Sequence, residues 1–371
     1  MKYADEYRES KLVQAVANEI KQTVSRQWNL MEVCGGQTNT IMKYGIEELL
    51  PEEIILVHGP GCPVCVTSVN LIDKAIRLAA TDNFVLATYG DMLRVPGSEK
   101  DLLSLKAEGA DIRIVYSPLD ALKLAEDMRD KNIVFFAVGF ETTAPATAHT
   151  ILEARKKDLK NFYILNAHVL IPPAIEMLLS SGNTKLDGLI APGHVCTVTG
   201  YEDYERLSGK YKTPIVVTGF EPLDLLNGIL ALVRMLERKS YNVENQYSRS
   251  VKREGNVKAK KMLEDVFNIV DRDWRGIGII NKSGYKLRNE FSHFDAELVF
   301  DLPDVKAVRN NECIAGEILQ GLKNPYSCKM FGTKCSPENP IGAPMVSSEG
   351  ACAAYYKFGK SNQLTGKIIY G

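Results

Sequence analysis

The sequence predicts an α/β fold of parallel sheets, and three observations carry that prediction. Short, continuously apolar runs recur through the first two-thirds of the chain, each ending in a glycine-rich or polar turn. Amphipathic segments of helical period separate the runs, an alternation that builds α/β layers with right-handed crossovers. After about residue 240 the texture becomes polar and loop-rich and ends in a cluster of cysteines.

The elements follow in order. The first thirty residues read as a helix, with Leu12, Val13, Val16, Ile20 and Val24 at helical spacing. Ile54–His58 then runs into Gly59-Pro60-Gly61, and Phe84–Tyr89 into Gly90-Asp91. Ile112–Tyr116 leads to Ser117-Pro118, where Ser117 and Asp120 suit a helix start. Ile133–Val138 ends at Gly139-Phe140-Glu141, Phe162–Leu165 at Asn166-Ala167-His168, and Leu189–Ala191 at Pro192-Gly193-His194. Ile215–Val217 ends at Gly219-Phe220-Glu221, echoing the earlier Gly-Phe-Glu turn. Continuous runs of this kind are strands buried on both faces. The expected organisation is two Rossmann-like parallel-sheet domains facing a cleft, over residues 1–120 and 121–240. A third domain, 241–371, carries the late cysteines.

A chain of 371 residues exceeds one ordinary core. With 45% hydrophobic and 25% charged residues it has the balance of a soluble globular protein. A formal net charge of −1 gives no footprint for nucleic acid or an anionic membrane. No apolar run approaches 18 residues, and MKYADEYRESK lacks the apolar core of a signal peptide, so a cytoplasmic protein is expected.

In reducing cytosol the eight cysteines point to metal ligation or redox chemistry rather than structural disulfides. Cys313, Cys328, Cys335 and Cys352 are separated by fourteen, six and sixteen residues, beside flexible glycine, serine and proline positions. Four thiolates suit an iron–sulfur cluster, because soft anionic sulfur matches iron and offsets the cationic core. Zinc, which usually takes tight cysteine pairs, and buried free thiols are the alternatives. Cys62-Pro63-Val64-Cys65 has the spacing of a dithiol that closes to a disulfide, and a following helix start would favour its thiolate. It could equally form half of a metal site.

Cys34 meets Gly35-Gly36 at the end of an apolar stretch, with Gln37, Thr38 and Asn39 following. Strand C-terminal ends are where ligands collect, so Cys34, Cys62 and Cys65 could share one cleft. Cys196, His168 and His194 lie at strand ends, with packing or capping as the plainer role for each. Glu141, Glu221 and Glu349 sit in glycine-flanked turns and could handle protons, or simply be solvated. No P-loop, and no G-x-G-x-x-G after a strand, is present.

These strings together resemble the HypD family of hydrogenase maturation proteins. The resemblance spans Met31-Glu32-Val33-Cys34-Gly35-Gly36, His58 through Val66, Tyr89-Gly90-Asp91, Arg94 through Gly97 and Ile114 through Leu122. It continues through Gly139 to Thr143, Ala191 to Val195, Gly219 to Asp224, Val243 to Tyr247, Trp274-Arg275-Gly276 and Met345 to Cys352. It implies a scaffold and redox protein for assembling the iron centre of [NiFe]-hydrogenases, an iron carrying two cyanides and one carbon monoxide. It further implies two α/β domains plus a [4Fe–4S] domain, a HypC-type chaperone as partner, and a HypE-type donor carrying cyanide as a thiocyanate. By motif, Cys34 would hold the iron, Cys62 and Cys65 would be the redox-active pair, and Cys313, Cys328, Cys335 and Cys352 the cluster ligands. Glu349 would assist proton or electron movement. The family commonly has histidines where this chain has Gln37 and Asn39. Neither amide titrates, but both could donate hydrogen bonds to bound cyanide. The competing reading is a thiol–disulfide oxidoreductase with a structural zinc site.

Overall fold

The computed structural model describes residues 5–182, 185–304 and 312–359. Among them the strands are β1 (Trp28–Glu32), β2 (Ile54–His58), β3 (Phe84–Thr88), β4 (Ile112–Ile114), β5 (Asn132–Gly139), β6 (Phe162–His168), β7 (Gly188–Pro192), β8 (Ile215–Thr218), β9 (Val243–Asn245), β10 (Phe267–Trp274) and β11 (Gly278–Leu287). Two parallel sheets result, in the orders β2-β1-β7-β8-β9 and β4-β3-β5-β6. β10 and β11 form an antiparallel hairpin with an irregularity between Val270 and Arg272. The apolar runs find β2 to β8. They miss β1, whose sequence is broken by Asn29 and Glu32, the three-residue β9, and both strands of the β10–β11 hairpin, where polar and charged residues interrupt the apolar ones.

The boundary expected near residue 120 needs correction. It falls inside the second sheet, between β4 and β5. The first sheet is assembled from two separate stretches of chain, because β1 pairs with β2 on one side and β7 on the other. Consecutive strands are usually neighbours, and nothing in the spacing reveals a chain that leaves a sheet and returns. The closure is visible at Gly188, opposite Leu30, where a Cβ would sit 3.1 Å from Leu30 and 3.2 Å from Leu232.

The expected N-terminal helix spans Ser10–Thr23 and buries Ala17 and Ile20. β5 and β7 are buried almost throughout, as continuous apolar runs require. Helix Pro118–Asp127 opens with the expected Ser117/Asp120 capping box, and helix Pro222–Glu237 with a Glu221/Asp224 one. Glu221 also receives a hydrogen bond from Arg8 at 2.8 Å, so its turn is a cap and an ion pair rather than a proton-handling site. The late segment is mostly loops and short helical turns, among them helices Ala315–Leu319 and Ala351–Phe358. Among the described residues no helix is long and apolar enough to cross a membrane.

Candidate functional site: a cysteine–histidine pair at the strand ends

Cys34 follows β1 and takes an extended conformation (φ −150°, ψ 122°) at the N-cap of helix Gly35–Lys43. The side chain is 3% exposed. Its Sγ lies 3.1 Å from Nε2 of His194, which sits on helix Gly193–Thr199 directly after β7, the neighbour of β1. His194 Nδ1 is 2.9 Å from Oγ1 of Thr142, in the turn that ends β5. Thiol and imidazole therefore come from the first sheet, and the group that orients the imidazole from the second.

Burial, then the charges of Glu349 and Glu32, push the Cys34 thiol well up, against backbone N–H groups of Gln37 and Gly36 that favour the thiolate. Burial pulls His194 down to about 4. At neutral pH the pair is thus an S–H and a neutral imidazole. We assign the thiol as donor to Nε2 and the Nδ1–H as donor to Thr142, the arrangement in which each proton has an acceptor. A thiol, an adjacent base and a third group orienting that base form the arrangement that activates a sulfur nucleophile or metal ligand. The base can take the proton when a cation replaces it on sulfur.

Behind Cys34 runs a buried polar chain. Glu32, fully buried, accepts the Cys34 N–H through Oε2 at 2.8 Å and the Thr38 hydroxyl through Oε1. His58, which ends β2, places Nδ1 2.7 Å from Glu32 Oε1 and Nε2 3.0 Å from the Tyr355 hydroxyl. That hydroxyl donates to Glu47 at 3.2 Å. Burial disfavours the His58 cation, but the hydrogen bond and charge of Glu32, together with Glu47, outweigh it and raise the pKa. Tyr355 and Cys352 share helix Ala351–Phe358, so this chain ties the Cys34 loop to the late cysteines. Gly35 packs directly on the Glu349 backbone, where a Cβ could not fit.

The Cys62 and Cys65 sulfurs lie at disulfide distance across the one-turn helix Pro63–Val66, and both residues are buried. Gly61 packs against the backbone of Val33 and Cys34, and its carbonyl accepts the Gly35 N–H at 2.8 Å. The two loops expected to meet are therefore in contact.

Cys328, Cys335 and Cys352 gather with Met330, Met345 and Ala353 in a small apolar cluster, and Cys352 feels the charge of Cys313, Cys335 and Cys328. Cys335 Sγ accepts the Ile341 N–H at 3.4 Å. Among the described residues no group of three or more His, Cys, Asp or Glu side chains has the geometry to hold a metal ion. A four-iron cubane presents four corners and takes wider-set thiolates than one ion does. Cys313 and Cys352 each feel the charge of Cys328 and Cys335, and four soft donors within that reach fit the chemistry of such a cluster.

The other candidate residues divide plainly. Cys196 is fully buried, close to Tyr204 and Glu141, and burial raises its pKa. His168 is a core residue, bonded to Asn166 at 2.7 Å and held neutral down to about 3 by burial and Arg272. Glu349 borders the site, its pKa raised by partial burial and then by Asp91. Of the amides expected to donate to cyanide, Gln37 has two acceptors for its N–H groups and Asn39 has one. Gln37 Nε2 donates to Thr218 Oγ1 at 2.7 Å and to the Ala191 carbonyl at 3.2 Å, and Asn39 Nδ2 donates to the Ser348 carbonyl at 2.9 Å. Sequence spacing does not identify His194 as the partner of Cys34, nor Glu32, His58 and Tyr355 behind it. A histidine closing each of β2 and β7 is the only trace this arrangement leaves in the sequence.

Glu141 is 2% exposed, accepts the Ile171 N–H through Oε1 at 2.9 Å, and has no hydrogen-bond partner for Oε2 among the described residues. Burial raises its pKa to about 8. Between about pH 4.5 and 8 the unfolded chain releases a proton that the native state keeps, so stability falls across that window by a few kcal/mol. Glu141→Gln is expected to flatten this slope, read as the urea midpoint against pH.

Taken together, these features describe a thiol-rich α/β protein with a buried cysteine–histidine pair beside the Cys62–Cys65 loop. A family model for HypD, described as "Hydrogenase formation hypA family", matches residues 10–359. The chain belongs to this family. It is 46% identical over 370 residues to hydrogenase maturation factor HypD2 of Bradyrhizobium diazoefficiens, covering 97% of each chain. Identity to hydrogenase maturation factor HypD of Azotobacter vinelandii is 47% over 372 residues, 98% of each. Identity to the Escherichia coli K12 factor of that name is 42% over 366 residues, 96% of this chain and 98% of the other.

Proposed function

We propose that this chain serves hydrogenase maturation as the scaffold on which an iron bearing two cyanides and one carbon monoxide is assembled. The observation that carries the reading is the Cys34 Sγ at 3.1 Å from His194 Nε2, next to the Cys62–Cys65 loop. Iron is the cargo. As it binds Cys34, the thiol proton passes to His194, which Thr142 holds in register. The soft thiolate suits low-spin iron with strong-field ligands.

Cyanide arriving as a thiocyanate needs two electrons to leave its sulfur. Reduced Cys62 and Cys65 supply them: their two S–H bonds and the donor's S–C bond break, the Cys62–Cys65 disulfide and the donor's S–H form, and cyanide leaves with one proton. Cys313, Cys328, Cys335 and Cys352 would hold a cluster, which when bound would supply single electrons for restoring the dithiol. Glu349, which packs on Gly35 at the edge of the site, is the proton carrier of this reading. A HypC-type chaperone sharing the iron and a HypE-type cyanide donor are the partners of this reading.

Anaerobically purified protein with its chaperone is expected to show infrared bands of iron-bound cyanide, lost in Cys34→Ala and weakened in His194→Gln. Bands that persist in Cys34→Ala overturn the assignment. Protein that stays colourless after reconstitution with iron and sulfide, or binds zinc without acid-labile sulfide, overturns the cluster and favours a disulfide oxidoreductase.

A further inference from the structure

The Trp274-Arg275-Gly276 string lies at the turn of the β10–β11 hairpin and touches both sulfur sites. Trp274 is fully buried, donates its Nε1–H to Ser283 Oγ at 2.9 Å, and stacks on Phe140 with centroids 6.1 Å apart. It also bridges the backbone of Thr67, two residues beyond Cys65. The next residue, Arg275, donates its backbone N–H to the Val66 carbonyl at 2.8 Å. Gly276 takes φ +78°, and a Cβ there would lie 2.8 Å from Gly316 Cα. Only glycine lets the turn rest on the chain just past Cys313.

The Arg275 side chain makes a third contact. Its Nη1 donates to the Pro96 carbonyl at 2.8 Å. It lines a cavity of about 540 Å³ together with Cys313, Gly97 and Gly342. Arginine stays charged even where burial disfavours it. Asp273 and Glu99 also face this cavity but are exposed, where water screens them, and Asp73 is the other acidic group whose charge Arg275 feels.

We propose that Arg275 is a positioning residue for electron supply: it locks the segment carrying Cys65 to the wall carrying Cys313 and sets a fixed positive charge beside the Cys313 sulfur. The inference rests on the four-cysteine cluster of the proposed function. A cluster gains negative charge when it takes an electron, so a fixed cation nearby favours its reduced form and raises its potential.

The test is a redox titration, followed by electron paramagnetic resonance, of full-length protein reconstituted anaerobically with iron and sulfide. Iron and sulfide contents are measured on every sample. Wild type is expected at the highest midpoint potential and Arg275→Gln at the lowest. Arg275→Lys falls between, because its ammonium cannot both hold Pro96 and face Cys313. Equal potentials at wild-type iron content overturn the inference while leaving the cluster in place. Wild-type protein that takes up no cluster overturns the underlying reading, and the inference with it. If the glutamine variant takes up no cluster, the lysine variant decides by the same criterion.

Discussion

His58→Ala is expected to destabilise the protein by about 3–5 kcal/mol, the usual cost of removing one partner of a buried ion pair. His58 is 5% exposed and Glu32 fully buried, so no water can replace the lost partner cheaply. The carboxylate would keep the Cys34 N–H and the Thr38 hydroxyl but lose the imidazole Nδ1–H 2.7 Å away. Tyr355, whose hydroxyl donates to Glu47, would also lose the imidazole N–H it accepts, loosening helix Ala351–Phe358. Adding Glu32→Gln removes the stranded charge, so the double variant should be more stable than the two single losses sum to. Urea denaturation of the four proteins checks this. Strict additivity would show that the pair is not coupled.

Cys62→Ser is expected to reduce hydrogen uptake to background in cells lacking the native copy, while leaving cluster absorbance unchanged. The single remaining thiol at Cys65 can offer one electron, whereas release of cyanide from a thiocyanate takes two. The serine hydroxyl occupies nearly the same volume at a position 3% exposed, so the fold should persist. Unchanged hydrogen uptake would mean that these cysteines only shape a surface. Lost cluster absorbance would place them among the cluster's ligands.

Much of the scaffold is legible in the residues themselves. Buried parallel strands must be apolar on both faces, so β2, β3 and β5 to β8 announce themselves as continuous runs, whereas the edge strand β4 exposes Arg113 and Ile114; the glycine-rich turns after the strands mark where ligands gather. The Ser117/Asp120 cap follows from side chains that satisfy the first backbone donors of a helix. The late cysteines stand out because thiols concentrated in one loop-rich stretch have few other uses.

Residue order alone thus yields the class of layered α/β fold, the loops on which Cys34, Cys62 and Cys65 sit, and the family. Pairing belongs to the tertiary structure. Strand order is set by which edges meet in space, and β1 met β7 across more than 150 residues of intervening chain, which divided the sheets elsewhere than at residue 120. That same closure laid His194 against Cys34, and the end of β5 then supplied Thr142. Hydrogen bonds reach only about 3 Å and carry no trace in sequence spacing. Gln37 shows the converse, since both its amide N–H groups were claimed by Thr218 and Ala191 once the chain had folded.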